Sequence, residues 1–228
     1  MAALLFAPTE QAARNLAAEP AVNGKVFVTG NTGIDALFHA RAIRVGARPS
    51  ACDRKMLLVT CHRRENRGEA LAQICDALER MAASLPVEIM LPLHPNVNVR
   101  REIERRLGRR RNITLLEPVG HVEMVELIEH SWLILTDSGG LQEEGAAVGR
   151  PMLVLRDVTE RPEAKANIAV VGTSPDRIVA AVASLLTDEV RYARMATPSL
   201  AFGDGRAAPR IANAIEGYLG DARESGAI

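Results

Sequence analysis

A chain of 228 residues can bury one good core, or one complete domain and part of another. Its 28 Lys and Arg are balanced by 28 Asp and Glu, so no global basic field exists to gather nucleic acid, and aromatic residues at 3% argue against a stacking platform for single strands. With 47% hydrophobic residues the composition is that of a globular protein with an aliphatic core.

The N-terminal run Met1–Phe6 lacks the basic region of a signal peptide, and no apolar stretch reaches the roughly 20 residues that span a bilayer. Cys52, Cys61 and Cys75 have no metal-ligand spacing and read as reduced thiols. A soluble, cytoplasmic protein without a cofactor is expected, with no nucleic-acid or membrane partner.

Short apolar runs alternate with longer amphipathic ones, the signature of parallel βαβ units. Leu4–Ala7 reads as a strand and Glu10–Ala18 as a helix, followed by Lys25–Val28 and Ile34–Arg44. Gly46–Cys52, with small residues and a proline, suits a connector. Beyond it the candidate strands are Met56–Thr60, Glu88–Leu93, Ile113–Leu116, Trp132–Thr136, Met152–Leu155 and Ala169–Val171. Helical patterns separate them, clearest at Ala70–Ala83, Val122–His130, Gln142–Val148 and Asp176–Leu186, and Ala207–Leu219 reads as a final helix. Runs apolar on both faces belong inside a helix-covered sheet. The fold class is α/β: a Rossmann-like parallel sheet domain from about residue 53 to 220, preceded at residues 1–45 by the end of something else.

Ligands of such sheets bind beyond the carboxyl ends of the strands, so the residues after each run carry the functional signal. Asp137-Ser138-Gly139-Gly140 leads directly into Leu141–Glu144. Two glycines at a strand-to-helix turn let a ligand approach the backbone, and helix-start N–H groups attract phosphate. Ser138 can donate to a phosphate oxygen, and Glu144 can accept from both hydroxyls of a ribose. A capped helix with acidic residues near its N-terminus accounts for the same residues without a ligand. After Met152–Leu155, the loop Arg156–Glu163 alternates charges around Pro162. Its Arg161 could clamp a diphosphate, or the loop could simply be a solvated surface. His62, followed by Arg63 and Arg64, and His94 stand at two further strand ends; His121, His130 and His39 have no such placement and read as structural or surface residues. No Walker pattern occurs and no GxGxxG opens the first helix, which removes support for ATP hydrolysis and NAD chemistry.

Three long motifs, Thr60–Asn66, Leu135–Glu144 and Leu155–Glu163, resemble in sequence and order the bacterial non-hydrolysing UDP-GlcNAc 2-epimerases. Val28–Thr32 with Ile34-Asp35, and Phe202–Gly205, match that family too, so the resemblance runs from about residue 4 to about 219. It implies a two-domain, GT-B-like architecture, of which residues 1–45 would be the end of the N-terminal domain and residues 53–220 the UDP-binding domain. It also implies conversion of UDP-GlcNAc to UDP-ManNAc for polysaccharide biosynthesis, by elimination and re-addition of UDP, in a protein that is a homodimer at full length.

Carried over position by position, His62 matches the family's functionally important histidine near the diphosphate and is the candidate catalytic residue. Ser138, Gly139 and Gly140 match the phosphate-contacting turn, Glu144 the ribose acceptor and Arg161 the UDP-binding arginine. Met124 falls where an aromatic residue commonly packs on uracil, and Arg64 and His94 match positions near the cleft. Cys61 stands where the family commonly has glycine, Ala164–Ile168 is shorter than the family pattern, and an Asn-Pro before Phe202 is missing. The family's C2 acid and base carboxylates, which come from the N-terminal domain, have no counterpart, so the chain alone is expected to be weakly active or inactive. A GT-B glycosyltransferase using a UDP-sugar, or a non-catalytic UDP-sugar-binding remnant, are the alternatives.

Overall fold

Leu4–Ala7 (β1) and Lys25–Val28 (β2) pair in parallel, with Leu4 opposite Lys25 and Ala7 opposite Val28. The structure, a computed structural model, describes residues 2–43 and 54–224, leaving aside the side chains of Arg64 and of residues 221–224. The expected connector Gly46–Cys52, with Cys52, lies outside the described residues. By its contacts the chain forms two units, residues 1–42 with 200–228, and residues 43–199.

In the first unit Thr9 starts helix Glu10–Ala18 (α1) by accepting from the Ala12 N–H at 3.0 Å. The helix Thr32–Ala42 (α2) buries Ile34, Leu37 and Ala40. From its first turn Asp35 accepts from the N–H groups of Ala207 and Ala208, at 3.0 and 2.7 Å, and so caps the final helix Ala207–Glu224. Two of the motifs noted in the sequence meet here. Gly30 and Gly203 both hold positive φ, and a Cβ on Gly30 would lie 3.1 Å from the Gly203 Cα. Only glycine fits so close a backbone approach.

The second unit is one parallel sheet. Its strands are Lys55–Thr60 (β3), Val87–Pro92 (β4), Ile113–Leu116 (β5), Leu133–Thr136 (β6), Met152–Val154 (β7) and Ile168–Val170 (β8), in the order β5-β4-β3-β6-β7-β8. Every strand boundary predicted after residue 54 is met within one residue. Helix Glu69–Ser84 (α3) places Leu71, Ile74, Leu78 and Met81 on one stripe against Leu57, Val59, Ile89 and Leu91. Each such buried side chain contributes about 1.5–3 kcal/mol. Helix Val97–Leu107 (α4), which the sequence reading did not name, carries six charged residues among its eleven. Its buried residues Val99, Ile103 and Leu107 form a stripe one residue wide, too narrow a signal beside those charges.

His121–His130 (α5) and Gly139–Ala147 (α6) cover the opposite face. A Cβ on Gly145 would lie 2.5 Å from the Met152 Sδ, which measures how closely α6 rests on the sheet. Helix α6 starts three residues before the predicted Gln142, because Ser138 caps it, accepting from the Leu141 N–H at 3.4 Å. Both glycines therefore lie in the first turn of the helix. Pro175–Thr187 (α7) and Glu189–Met195 (α8) complete the unit. In the short link to β8, buried Asn167 donates to Met195 O at 2.8 Å and Thr197 O at 2.7 Å.

Candidate functional site

Strands β3 and β6 are neighbours at the sheet centre, yet the chain leaves them towards opposite edges. That is the topological switch point of a doubly wound sheet, and sheets of this kind bind ligands in a crevice beyond the carboxyl ends of such strands. Thr60 and Thr136 stand opposite each other there, both buried, with their hydroxyls 2.7 Å apart. The Ser138 N–H donates to the Thr136 hydroxyl at 3.0 Å.

The next residue after β6, Asp137, is fully buried. Its carboxylate accepts from the His62 N–H (3.1 Å to each oxygen), the Arg63 N–H (2.9 Å) and the Asn66 side-chain amide (2.9 Å). Asn66 also donates to Leu155 O at 3.1 Å, so one side chain joins the ends of three strands. Neither Asp137 nor Asn66 was singled out from sequence. The available signal was a carboxylate placed directly after four apolar residues, where burial obliges it to find donors. Beneath them the Cys61 thiol is pushed far up by burial and by Asp137, and stays neutral.

The Asp137 hydrogen bonds fix the backbone that carries His62. Burial lowers the proton affinity of this imidazole, His94 lowers it further, and Asp137 partly opposes them. The two histidine rings lie 5.1 Å apart, tilted by 47°. The Asn96 N–H donates to the His94 Nδ1 at 2.8 Å, which leaves the ring proton on Nε2.

The loop after β7 is stitched to α6. Thr159 donates to the Gln142 side chain at 2.6 Å and accepts from the Arg161 N–H at 3.0 Å, while Gln142 donates to Ser138 O at 3.2 Å. Arg161 donates from Nε to Glu143 and from Nη1 to Glu160 O, the latter at 3.1 Å. Its guanidinium lies over Gly139, where a Cβ would sit 3.2 Å from Nη2 and 3.3 Å from Cζ. Around Gly140 a Cβ would meet nothing nearer than the Ser138 Oγ at 3.9 Å. First-turn N–H groups have no acceptor within their own helix, so an open turn faced by a guanidinium attracts an anion. Ser138, Gly139 and Arg161 thus converge.

A second network joins the loops that carry His62 and Arg161. Arg156 reaches Glu65 at 2.7 Å and Glu160 at 3.3 Å, and Arg63 reaches Glu160 at 3.6 Å. Glu144 lies on α6 one turn beyond Gly140, with the His121 Nε2 3.2 Å from its Oε1. His121, read from sequence as structural or surface, thus belongs at this end of the sheet. Met124 is half-buried on α5, one turn further along. Arg64 lies in the 3-10 turn Arg64–Asn66, and its side chain is outside the described residues.

Together these features define a Rossmann-type α/β domain with an anion-ready turn at its switch point. The model of the UDP-N-acetylglucosamine 2-epimerase family matches residues 1–216, and the chain belongs to that family. The UDP-N-acetylglucosamine 2-epimerase of Escherichia coli (strain K12) is 42% identical over 225 residues, which cover 92% of this chain and 60% of that protein. The S. aureus MnaA–UDP co-structure superposes with a TM-score of 0.89 at 38% identity, over 96% of this chain and 61% of that one. The Neisseria meningitidis UDP-GlcNAc 2-epimerase bound to UDP-GlcNAc gives 0.88 at 37% identity, over 94% and 61%. The chain spans about 60% of the length of the curated relatives it matches.

Proposed function

We propose that the second unit carries the nucleoside-diphosphate clamp of a non-hydrolysing UDP-GlcNAc 2-epimerase. One observation carries the reading: the Arg161 guanidinium, held by Glu143, lies over Gly139 at the open first turn of α6. The Gly139 and Gly140 N–H groups, the Ser138 hydroxyl and Arg161 would hold the two phosphates. Glu144 would accept from the ribose hydroxyls, and Met124 would cover one face of the uracil with its polarisable thioether. His62, neutral at pH 7, would donate to a diphosphate oxygen, with Arg64 and His94 nearby. S. aureus MnaA holding UDP and the Neisseria meningitidis epimerase holding UDP-GlcNAc support the choice of ligand.

Inverting C2 requires loss of a weakly acidic C–H. In this reading the C1–O bond to UDP breaks as that proton leaves, giving 2-acetamidoglucal and UDP. Protonation from the other face and re-addition of UDP then give UDP-ManNAc. The clamp stabilises the departing diphosphate, where charge develops. No residue of this chain is assigned as the C2 acid or base, so its own part is binding and leaving-group stabilisation. A cytoplasmic homodimer serving polysaccharide biosynthesis completes the reading. Among the described residues no helix is long and apolar enough to cross a membrane.

Calorimetric titration with UDP and then UDP-GlcNAc tests the clamp. Binding is expected, and Arg161→Ala should weaken UDP about tenfold or more, a larger loss than the stability forfeited when the buried Glu143 loses this partner. If the folded protein binds neither at millimolar concentration, the assignment fails. Equal losses of affinity and stability would identify the Arg161 loop as ordinary surface. Exchange of the C2 hydrogen for deuterium in UDP-GlcNAc by this chain alone would place the acid and base among its own residues.

A further inference from the structure

Helix α5 opens with His121, and its start is pinned by Glu123, which accepts from the Gly120 N–H at 3.0 Å. The imidazole that this start projects reaches across to α6, its Nε2 3.2 Å from the Glu144 Oε1. Glu144 is the more enclosed partner, with 16% of its side chain exposed against 46% for His121. An ionised carboxylate only accepts, so in this pair the proton sits on Nε2 and Glu144 Oε2 is left to serve another donor.

We propose that His121 is a positioning residue for the nucleotide ribose: its Nε2–H holds Glu144 so that the carboxylate presents an acceptor edge to a vicinal diol. The inference rests on the nucleotide assignment above. It adds a residue that neither the motifs nor their spacing pointed to.

The surroundings of Glu144 make this support consequential. Burial raises its proton affinity, the His121 hydrogen bond and charge lower it, and Glu143 on the same helix raises it. Glu143 is itself ion-paired with Arg161 from the loop after β7. Without His121 the balance moves towards the protonated carboxyl, which offers a donor where a diol needs acceptors. Diol binding depends on the ionised form and is lost as pH falls through the Glu144 pKa. Removing His121 raises that pKa, so the loss begins at higher pH.

Calorimetric titration of UDP and 2′-deoxy-UDP into wild-type protein, His121→Ala and His121→Gln, from mildly alkaline to mildly acidic pH, tests this. His121→Ala should bind UDP about tenfold more weakly at neutral pH, the worth of one hydrogen bond to a charged group, and its acid limb should move to higher pH. His121→Gln, whose amide can donate, should recover most of the neutral-pH affinity. The 2′-deoxy compound should bind wild-type protein more weakly and respond less to either variant. UDP binding by wild-type protein with an unchanged affinity and acid limb in His121→Ala overturns the inference and leaves the clamp standing. So does a loss equal at every pH, or equal binding of the ribo and deoxy compounds by wild-type protein. Absence of UDP binding in wild-type protein overturns both.

Discussion

Asn66 donates to the buried carboxylate of Asp137 at 2.9 Å, so the loop after β3 hangs from the residue that ends β6. Two backbone N–H groups of the same loop point at the same carboxylate. Asp137→Asn keeps the shape but turns an amide N–H towards donors. A loss of about 3 kcal/mol is expected, read from urea unfolding, together with weaker UDP binding because the loop carries His62. An unchanged unfolding midpoint would show that the loop stands without this anchor.

Gly139→Ala separates folding from ligand binding. The position heads α6 without positive φ, so alanine should raise stability by up to about 1 kcal/mol through helix propensity. Its Cβ would lie 3.2 Å from the Arg161 Nη2 and displace the guanidinium. Thermal denaturation should therefore hold or rise while UDP affinity falls about tenfold. Gly140→Ala meets no protein atom closer than 3.9 Å, so any loss of affinity there reports the ligand's own approach.

His62 makes stability depend on pH. Burial leaves this imidazole with less proton affinity in the folded protein than its ordinary value of 6.5. The unfolded chain therefore takes up the proton first as pH falls. The histidine's share of stability is intact above about 6.5 and is lost below it. His62→Gln should flatten the fall in unfolding free energy just under that pH, measured by denaturant titration at a series of pH values. A slope unchanged by the substitution would assign the acid loss elsewhere.

Arg156 has 10% of its side chain exposed, and its Nη1 has no hydrogen-bond partner among the described residues. Its carboxylate partners Glu65 and Glu160 are half exposed, so exchanging it for an apolar side chain strands little charge. Arg156→Met should change stability by about 1 kcal/mol or less and loosen the two loops it joins. Faster amide hydrogen exchange at residues 62–66 and 157–161, with weaker UDP binding, is the expected result. Unaltered exchange would mean that the Asp137 and Thr159 hydrogen bonds hold the loops alone.

The sheet was legible because each strand is a short apolar run closed by polar or turn-forming residues, as at Leu133–Thr136 before Asp137. The glycine turn was legible for the same reason, since strand ends mark where ligands bind. Helix α4 was obscured by its surface charge, and the start of α6 was set by the Ser138 cap rather than by apolar spacing. Partnerships between distant residues left no local trace. Asp137 meets Asn66 across 71 positions and Glu144 meets His121 across 23, and only the sheet order brings them together.

The Thr60–Thr136 hydroxyl pair has a consequence for how this architecture can change. It lies at the last rung of the central ladder, below the loops, and it fixes where both loops depart. Substitutions above that rung can alter charge, length or ligand preference without moving the points of departure. Chemistry here can be rewritten from a stationary datum.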